Sequence, residues 1–369
     1  MINRILSLLH PLWMSFVICC FLAASCKTSV NPPAVTQKGK ERKAVVIIDN
    51  QAQNKVDIYI DGEIFTSYIY PANLEKPVLY PVRTAQNTII TRGFPLEPRE
   101  GERVDHPHQV GIWFTYGDVN GYDFWGNSNA IPPEEKQHYG WIVHRGIKKA
   151  ETRDQVGILE LAMDWQVKKG SGSVFTILQE NTTLKFKGDE TTRSVDRITR
   201  LTAQEEDVVF KDTKEGLYGI RLDRGFEYPT NEPLVFTDAN GKPSEVSVLD
   251  NERAKGDYKN SNGVAGIDVW GKRAAWVRLN GMIGDEKITV AIFDHPKNPG
   301  APAYWHAREY GLFAVNNLGQ AVFSEGKESL NYHLKAGESV TFFYRLYITS
   351  GYWADDDELN NVYQDFISH

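Results

Sequence analysis

Cysteine is nearly absent from this chain, and the little there is sits where a folded domain cannot use it. All 3 cysteines, Cys19, Cys20 and Cys26, lie at the N-terminal end. The body of the chain therefore has no disulfide, no cysteine nucleophile and no thiolate metal site. Long apolar runs are missing too. After Ala24 no stretch is long enough to span a bilayer as a helix. Positive charge is in deficit: 41 Lys and Arg stand against 48 Asp and Glu, a formal net charge of −7. With no basic stripe to offset that balance, a nucleic-acid partner is excluded. Sustained helical periodicity is scarce, and no repeat of fixed period is visible.

What is present begins with an export signal. Arg4 supplies a positive start, Ile5 to Ala24 is dominated by apolar residues, and Leu22-Ala23-Ala24-Ser25-Cys26 ends the run in small residues. The small residues before Cys26 resemble a bacterial lipobox, which implies lipidation at Cys26. Ordinary secretion with nearby cleavage and an uncleaved membrane anchor are the alternatives. The organisation expected is a lipoprotein-type signal peptide over 1–25, a flexible tether over 26–43 and one domain over 44–369. The expected location is the cell envelope, periplasm or outer membrane, with membrane contact only through the lipid.

The body reads as strands. Lys55–Ile60 and Glu63–Tyr70 are alternating runs joined by Asp61-Gly62, a strong hairpin signal. Further strands are expected at Ala44–Ile48, Thr88–Thr91, Gly157–Trp165, Ser173–Lys187, Ala274–Leu279, Lys287–Phe293 and Ser339–Thr349. Only Asp355–Phe366, with acids at its start, reads as a short helix. Many strands without βαβ alternation predict an all-β fold, a large antiparallel β-sandwich.

The densest chemistry lies in Asp105-His106-Pro107-His108-Gln109-Val110-Gly111-Ile112-Trp113-Phe114, followed by Gly117-Asp118-Val119-Asn120-Gly121. If the segment is extended, His106, His108, Val110, Ile112 and Phe114 share one face, so both imidazoles point the same way. Pro107 between them stiffens the backbone. Such a pair suits the mouth of a sheet better than a core.

Three other clusters carry polar chemistry. In Lys211-Asp212-Thr213-Lys214-Glu215-Gly216, running on to Arg221, glycines flank a group of charges, which reads as a turn presenting side chains. Glu215 beside Lys214, with Arg221 near, would be held as an ionised base; the alternative is a solvated charged turn. Asp294-His295-Pro296 closes an apolar run and leads to Tyr304-Trp305-His306-Ala307-Arg308-Glu309-Tyr310. There Trp305 offers a flat face for a sugar ring and Arg308 a donor fork, unless the aromatics simply fill the core. His138 and His144 flank a third aromatic group, with His144 the better placed of the two. His106, His108, His144, His295 and His306 all fall in segments rich in aromatics and acids, which points to a common site.

These motifs resemble the bacterial PmoA-like proteins, a family labelled "methane oxygenase PmoA". The likeness runs from about Lys55 to Gly351. It is carried by Asp105-His106-Pro107-His108, Gly111–Phe114, Gly117–Gly121, Asp123–Gly126, Asp212–Gly216, Gly219–Arg221, Phe293–Pro296, Tyr304–Arg308 and Tyr310–Phe313. Val110 departs from the usual basic residue or histidine, and Gly300 from the usual arginine, so neither position carries a family role here. The resemblance implies a supersandwich of the galactose-mutarotase type. Methane oxygenation does not fit a chain without spanning segments whose clusters are Asp, His, Arg, Lys and Trp.

The function expected is therefore acid–base chemistry on a sugar or oxidised sugar, of epimerase, lyase or hydrolase type. The resemblance implies a histidine acid and a carboxylate base on opposite sides of the ring. His108 or His306 could take the first role and Glu215 or Asp294 the second, with His106 a further catalytic candidate. Trp113, Asp118, Asp212, Lys214, Arg221, His295, Trp305, Arg308 and Tyr310 would contact the ligand. No cofactor is expected, although His106 and His108 with a carboxylate could form a divalent metal site. The alternative from another class is a glycan-binding lipoprotein without catalysis. The partner expected in either case is a carbohydrate or another small polyhydroxylated ligand.

Overall fold

The computed structural model describes residues 44–170, 172–232, 234–246 and 251–368. The expected signal peptide, the Cys26 lipidation site and the tether lie outside the described residues. Two eight-stranded antiparallel sheets dominate. The first runs, in spatial order, Val45–Asn50, Lys55–Ile60, Glu63–Ile69, Val78–Val82, Ile112–Tyr116, Gly216–Arg221, Leu312–Asn316 and Tyr304–Ala307. The second runs Asp257–Asn260, Trp276–Ile283, Glu286–Asp294, Ser339–Ser350, Thr192–Ala203, Ser173–Gly188, Val156–Lys169 and Trp141–Arg153.

Period-2 alternation puts the two inner faces together. In Val156–Lys169 every second residue from Gly157 to Val167 is buried, with half-buried residues between. Those inward side chains join Ile58, Ile60, Ile112 and Phe114 of the first sheet in a shared core. Phe114 lies centrally in it, with its ring 6.2 Å from Trp165 and 5.8 Å from Phe342. That is the face-to-face packing of a β-sandwich. Among the described residues no helix is long and apolar enough to cross a membrane.

The Asp61-Gly62 hairpin forms as expected, with φ of 56° and 82° at its two central residues, the left-handed pair that this turn requires. The C-terminal helix spans Asp356–Ile367, and Asp355 caps it by accepting from the Glu358 amide at 2.8 Å. Leu359 and Phe366 press it against Trp276, Ala291 and Phe293 on the outer face of the second sheet.

Three expectations need correction. Thr88–Thr91 supplies only isolated bridges, at Ile89 and Thr91. Asp105–Gly111 is not extended. His106 takes a left-handed φ of 41°, and the Gln109 amide closes a turn onto the His106 carbonyl, so the strand begins only at Ile112. The turn expected from Lys211 onward is confined to Lys211–Glu215, and Gly216–Arg221 beyond it is an interior strand. Gly219 there answers to close packing: a Cβ would stand 3.1 Å from the Trp113 ring and 3.2 Å from Ala314.

The sandwich assignment predicts a strong asymmetry along one strand. Leu161→Ala empties a fully buried site and should lower the unfolding free energy by about 2–5 kcal/mol. The outward Glu160→Ala, next in sequence, should change it by less than about 0.5 kcal/mol. Chemical denaturation of the two variants checks the face assignment.

Candidate active site

The outer face of the first sheet, away from the shared core, carries the chemistry. Strand register aligns Trp113, Gly219, Ala314 and His306 across four neighbouring strands. The alternation that turns Phe114 and Trp305 inward turns Trp113 and His306 outward. Arg221 stands on the same outer face, two residues beyond Gly219. Trp113 packs edge-on to Trp125, ring centres 5.2 Å apart, and with Val110 and Leu312 forms a small second core there.

The loop before Trp113 is held down by two buried guanidinia. Arg221, wholly buried, donates to Asp105 Oδ1 at 2.7 Å and to Gln109 Oε1 at 2.6 Å. Arg92, 1% exposed, bonds the same Asp105 oxygen, the Asp105 carbonyl at 2.9 Å and the His106 carbonyl at 3.0 Å. Burial alone would raise the Asp105 carboxyl. The His106 hydrogen bond and the two arginines override it and hold Asp105 well below the ordinary carboxylate range. The His106 ring stacks on Tyr310 at 5.2 Å and 11°, and Arg221 lies 4.6 Å from the centre of the Tyr310 ring.

Glu215 and His306 meet on the other side. His306 Nδ1 is 2.9 Å from the Lys214 carbonyl, which can only accept, so Nδ1 carries the proton and Nε2 is the free lone pair. Its Nδ1 is 3.8 Å from Glu215 Oε2. Burial pushes His306 down to about 4, outweighing the lift from the Lys214 carbonyl. Burial raises Glu215, against the pull of the Lys214 ammonium and with a further push from Asp123. His106 and Arg308 act on both groups, which places all of them in one neighbourhood. His108 is held far below the ordinary histidine range by burial and then by the Lys76 ammonium. Low dielectric therefore drives His306 and His108 to the neutral form and shifts Glu215 toward its protonated form.

The structure gathers His106, His108, Glu215, His306, Lys214, Arg221, Arg308 and Tyr310. The other candidates are committed elsewhere. Trp113 and Trp305 are 1% and 0% exposed, so neither face is open to a ring; Trp305 donates instead to the Ala274 carbonyl at 3.1 Å. Asp294 spends its oxygens on Asn298, Asn317 and the Ala303 amide, and burial lifts it to about 6. His295 packs between Phe343 and Phe366 near the C-terminal helix. Asp212 accepts from the Ala321, Leu330 and Asn331 amides, and Asp118 from the Gly121 amide, which makes both turn anchors. His106 and His108 stand edge to face at 5.7 Å, and among the described residues no group of three or more His, Cys, Asp or Glu is arranged to hold a metal.

Sequence reasoning missed Arg92 and Lys76. Nothing in Thr91-Arg92-Gly93 or Glu75-Lys76-Pro77 marks a buried cation, because their partners come from loops distant in sequence. His144 stacks on Tyr70 at 3.9 Å, bonds Tyr68 and lines a separate cavity.

Among known proteins, the family described as "Family of unknown function (DUF6807)" matches residues 55–364. No curated protein matches the chain. Solved structures resemble it at low identity. One is the galactosidase domain of an α-galactosidase–sucrose kinase, at 9% identity and TM-score 0.37 over 83% of this chain; the chain spans only 41% of that one. A putative aldose 1-epimerase from Escherichia coli K12 shows 13% identity and TM-score 0.30, covering 84% of this chain and 99% of its own. A β-arabinopyranosidase shows 9% identity and TM-score 0.25, over 83% of this chain and 38% of its own.

Two outcomes follow for stability. Asp105→Ala strands two buried guanidinia without their carboxylate and should cost about 2–4 kcal/mol in denaturant unfolding. The unfolded chain takes up histidine protons near pH 6.5, whereas folded His306 resists until about 4. Its contribution is thus complete above about pH 6.5 and is lost as pH falls toward 4. His306→Gln should flatten that slope of stability against pH.

Proposed function

The chain belongs to the family of unknown function DUF6807 across residues 55–364, and we propose that it is an exported carbohydrate-active enzyme working by acid–base chemistry. The ligand is a sugar or oxidised sugar. His306 serves as base through its unprotonated Nε2, and Glu215, raised by burial, serves as the proton donor. The carrying observation is that a buried neutral imidazole of defined tautomer and a part-exposed carboxyl raised by burial lie 3.8 Å apart on the outer face of the first sheet. Removing a proton on one side and supplying one on the other is the step shared by epimerases, lyases and hydrolases of sugars.

The stacked His106–Tyr310 pair and the partly exposed Lys214 and Arg308 add an aromatic edge and donors for hydroxyls. The resemblance to the PmoA-like proteins belongs to the same reading, as does placement in the cell envelope through a lipid on Cys26. Methane oxidation does not.

The test is a screen of aldoses, keto-sugars and uronates, followed by mass and NMR. His306→Ala and Glu215→Gln should each lower kcat/KM by about 10²–10⁴ on any substrate converted. The acid limb of kcat/KM should lie near the depressed His306 value of about 4. An acid limb near 6.5, or full activity in both variants, would remove these roles. Glycan binding without turnover by the intact protein would replace the enzyme with a binding lipoprotein. Cys26→Ala should move the protein from the membrane to the soluble fraction; unchanged membrane association would refute the lipid anchor.

A further inference from the structure

Beside the Asp105–Gln109 loop lies a cavity of about 400 Å³ that the acid–base reading does not use. Its walls are largely apolar, built from Leu74, Val78, Phe94, Leu96 and Val110. Lys76, His108 and Ser128 also line it, beside Glu75 and three asparagines, Asn73, Asn127 and Asn129.

Lys76 is the unusual one. It is 4% exposed, its ammonium donates to the Trp125 carbonyl at 3.0 Å, and it forms no ion pair among the described residues. An ammonium has three donors, so two are left over. Among its neighbours Lys76 depresses His108 most, which sets the charge at the His108 end of the cavity. The Ser128 hydroxyl is buried and has no hydrogen-bond partner among the described residues. His108 likewise forms no hydrogen bond among the described residues. The one acid in the lining, Glu75, is bonded to Lys136 Nζ at 2.5 Å, which also holds Asn127 and the Ser128 carbonyl. Asp123 acts on Lys76 through space without pairing to it.

A buried, unpaired cation is costly unless something anionic completes it. Unfilled donors at one end and apolar walls at the other define what would do so. We propose that this cavity binds a small carboxylate with an apolar ring or branched body. Lys76 takes the carboxylate, and the aliphatic and Phe94 walls take the body. The size lies within the range of small-molecule sites. The proposal stands apart from the acid–base reading and survives its failure.

Calorimetry or ligand-observed NMR on the whole protein tests it, with benzoate, benzamide and acetate as probes. Benzoate should bind, while benzamide, uncharged, and acetate, lacking the body, should each bind at least tenfold more weakly. Lys76→Met should lose benzoate binding at least tenfold, and Lys76→Arg should retain part of it. Unchanged thermal unfolding would show that both variants fold. Burial lowers Lys76 to about 8, against the lifting effect of Asp123 and Glu75. Benzoate affinity should therefore hold below pH 8 and fall above it. Equal binding of benzoate and benzamide, no benzoate binding by the intact protein, or undiminished binding by Lys76→Met would overturn the assignment.

Discussion

Two arginines on one carboxylate organise the outer face of the first sheet. Arg221 comes from an interior strand, Arg92 from a loop, and Asp105 from the segment that must fold over both. Charge pairs this deeply buried recover their desolvation cost only when hydrogen bonding is nearly complete. Here most of the remaining donors are spent on the carbonyls of Asp105, His106 and Gln109 and on the Gln109 side chain, and only the two Nε groups are without a partner among the described residues. The pairing thereby fixes a backbone path, including the left-handed turn at His106, that its local sequence would not choose. Once that path is set, His106 reaches Tyr310, and His108 faces the neighbouring cavity.

The same low dielectric sets the protonation of the groups around it. Burial is the largest influence on each of these groups and outweighs the charges around it. His306 and His108 accordingly give up their protons, and Glu215 is pushed toward holding one. The Lys214 carbonyl then selects the tautomer of His306. Backbone geometry, more than any neighbouring side chain, decides which imidazole nitrogen can act as a base.

Much of this was legible in the sequence. The Asp61-Gly62 hairpin, the long alternating strands and the capped C-terminal helix came from local periodicity and turn chemistry, which are properties of adjacent residues. The clustering of His106, His108, Glu215, His306, Arg221, Arg308 and Tyr310 was also readable, as polar residues in places where a core would not keep them. Trp113 and Trp305 were misread because composition does not say which face of a strand is outward or what covers that face. The strand Gly216–Arg221 was missed because its glycines accommodate close neighbours across the sheet. Arg92 and Lys76 left no trace, since a buried cation is recognised by partners remote in sequence. The shifts at His306 and Glu215 were hidden for the same reason: burial is a tertiary property.

The account rests on His306 being neutral, with its proton on Nδ1. Nitrogen-15 NMR of the imidazoles at about pH 5.5, between the ordinary value near 6.5 and the depressed value of about 4, observes this directly. The prediction is a neutral ring protonated at Nδ1 and bare at Nε2, assigned by its loss in His306→Gln. A protonated imidazolium at that pH, or a neutral ring with its proton on Nε2, would contradict it.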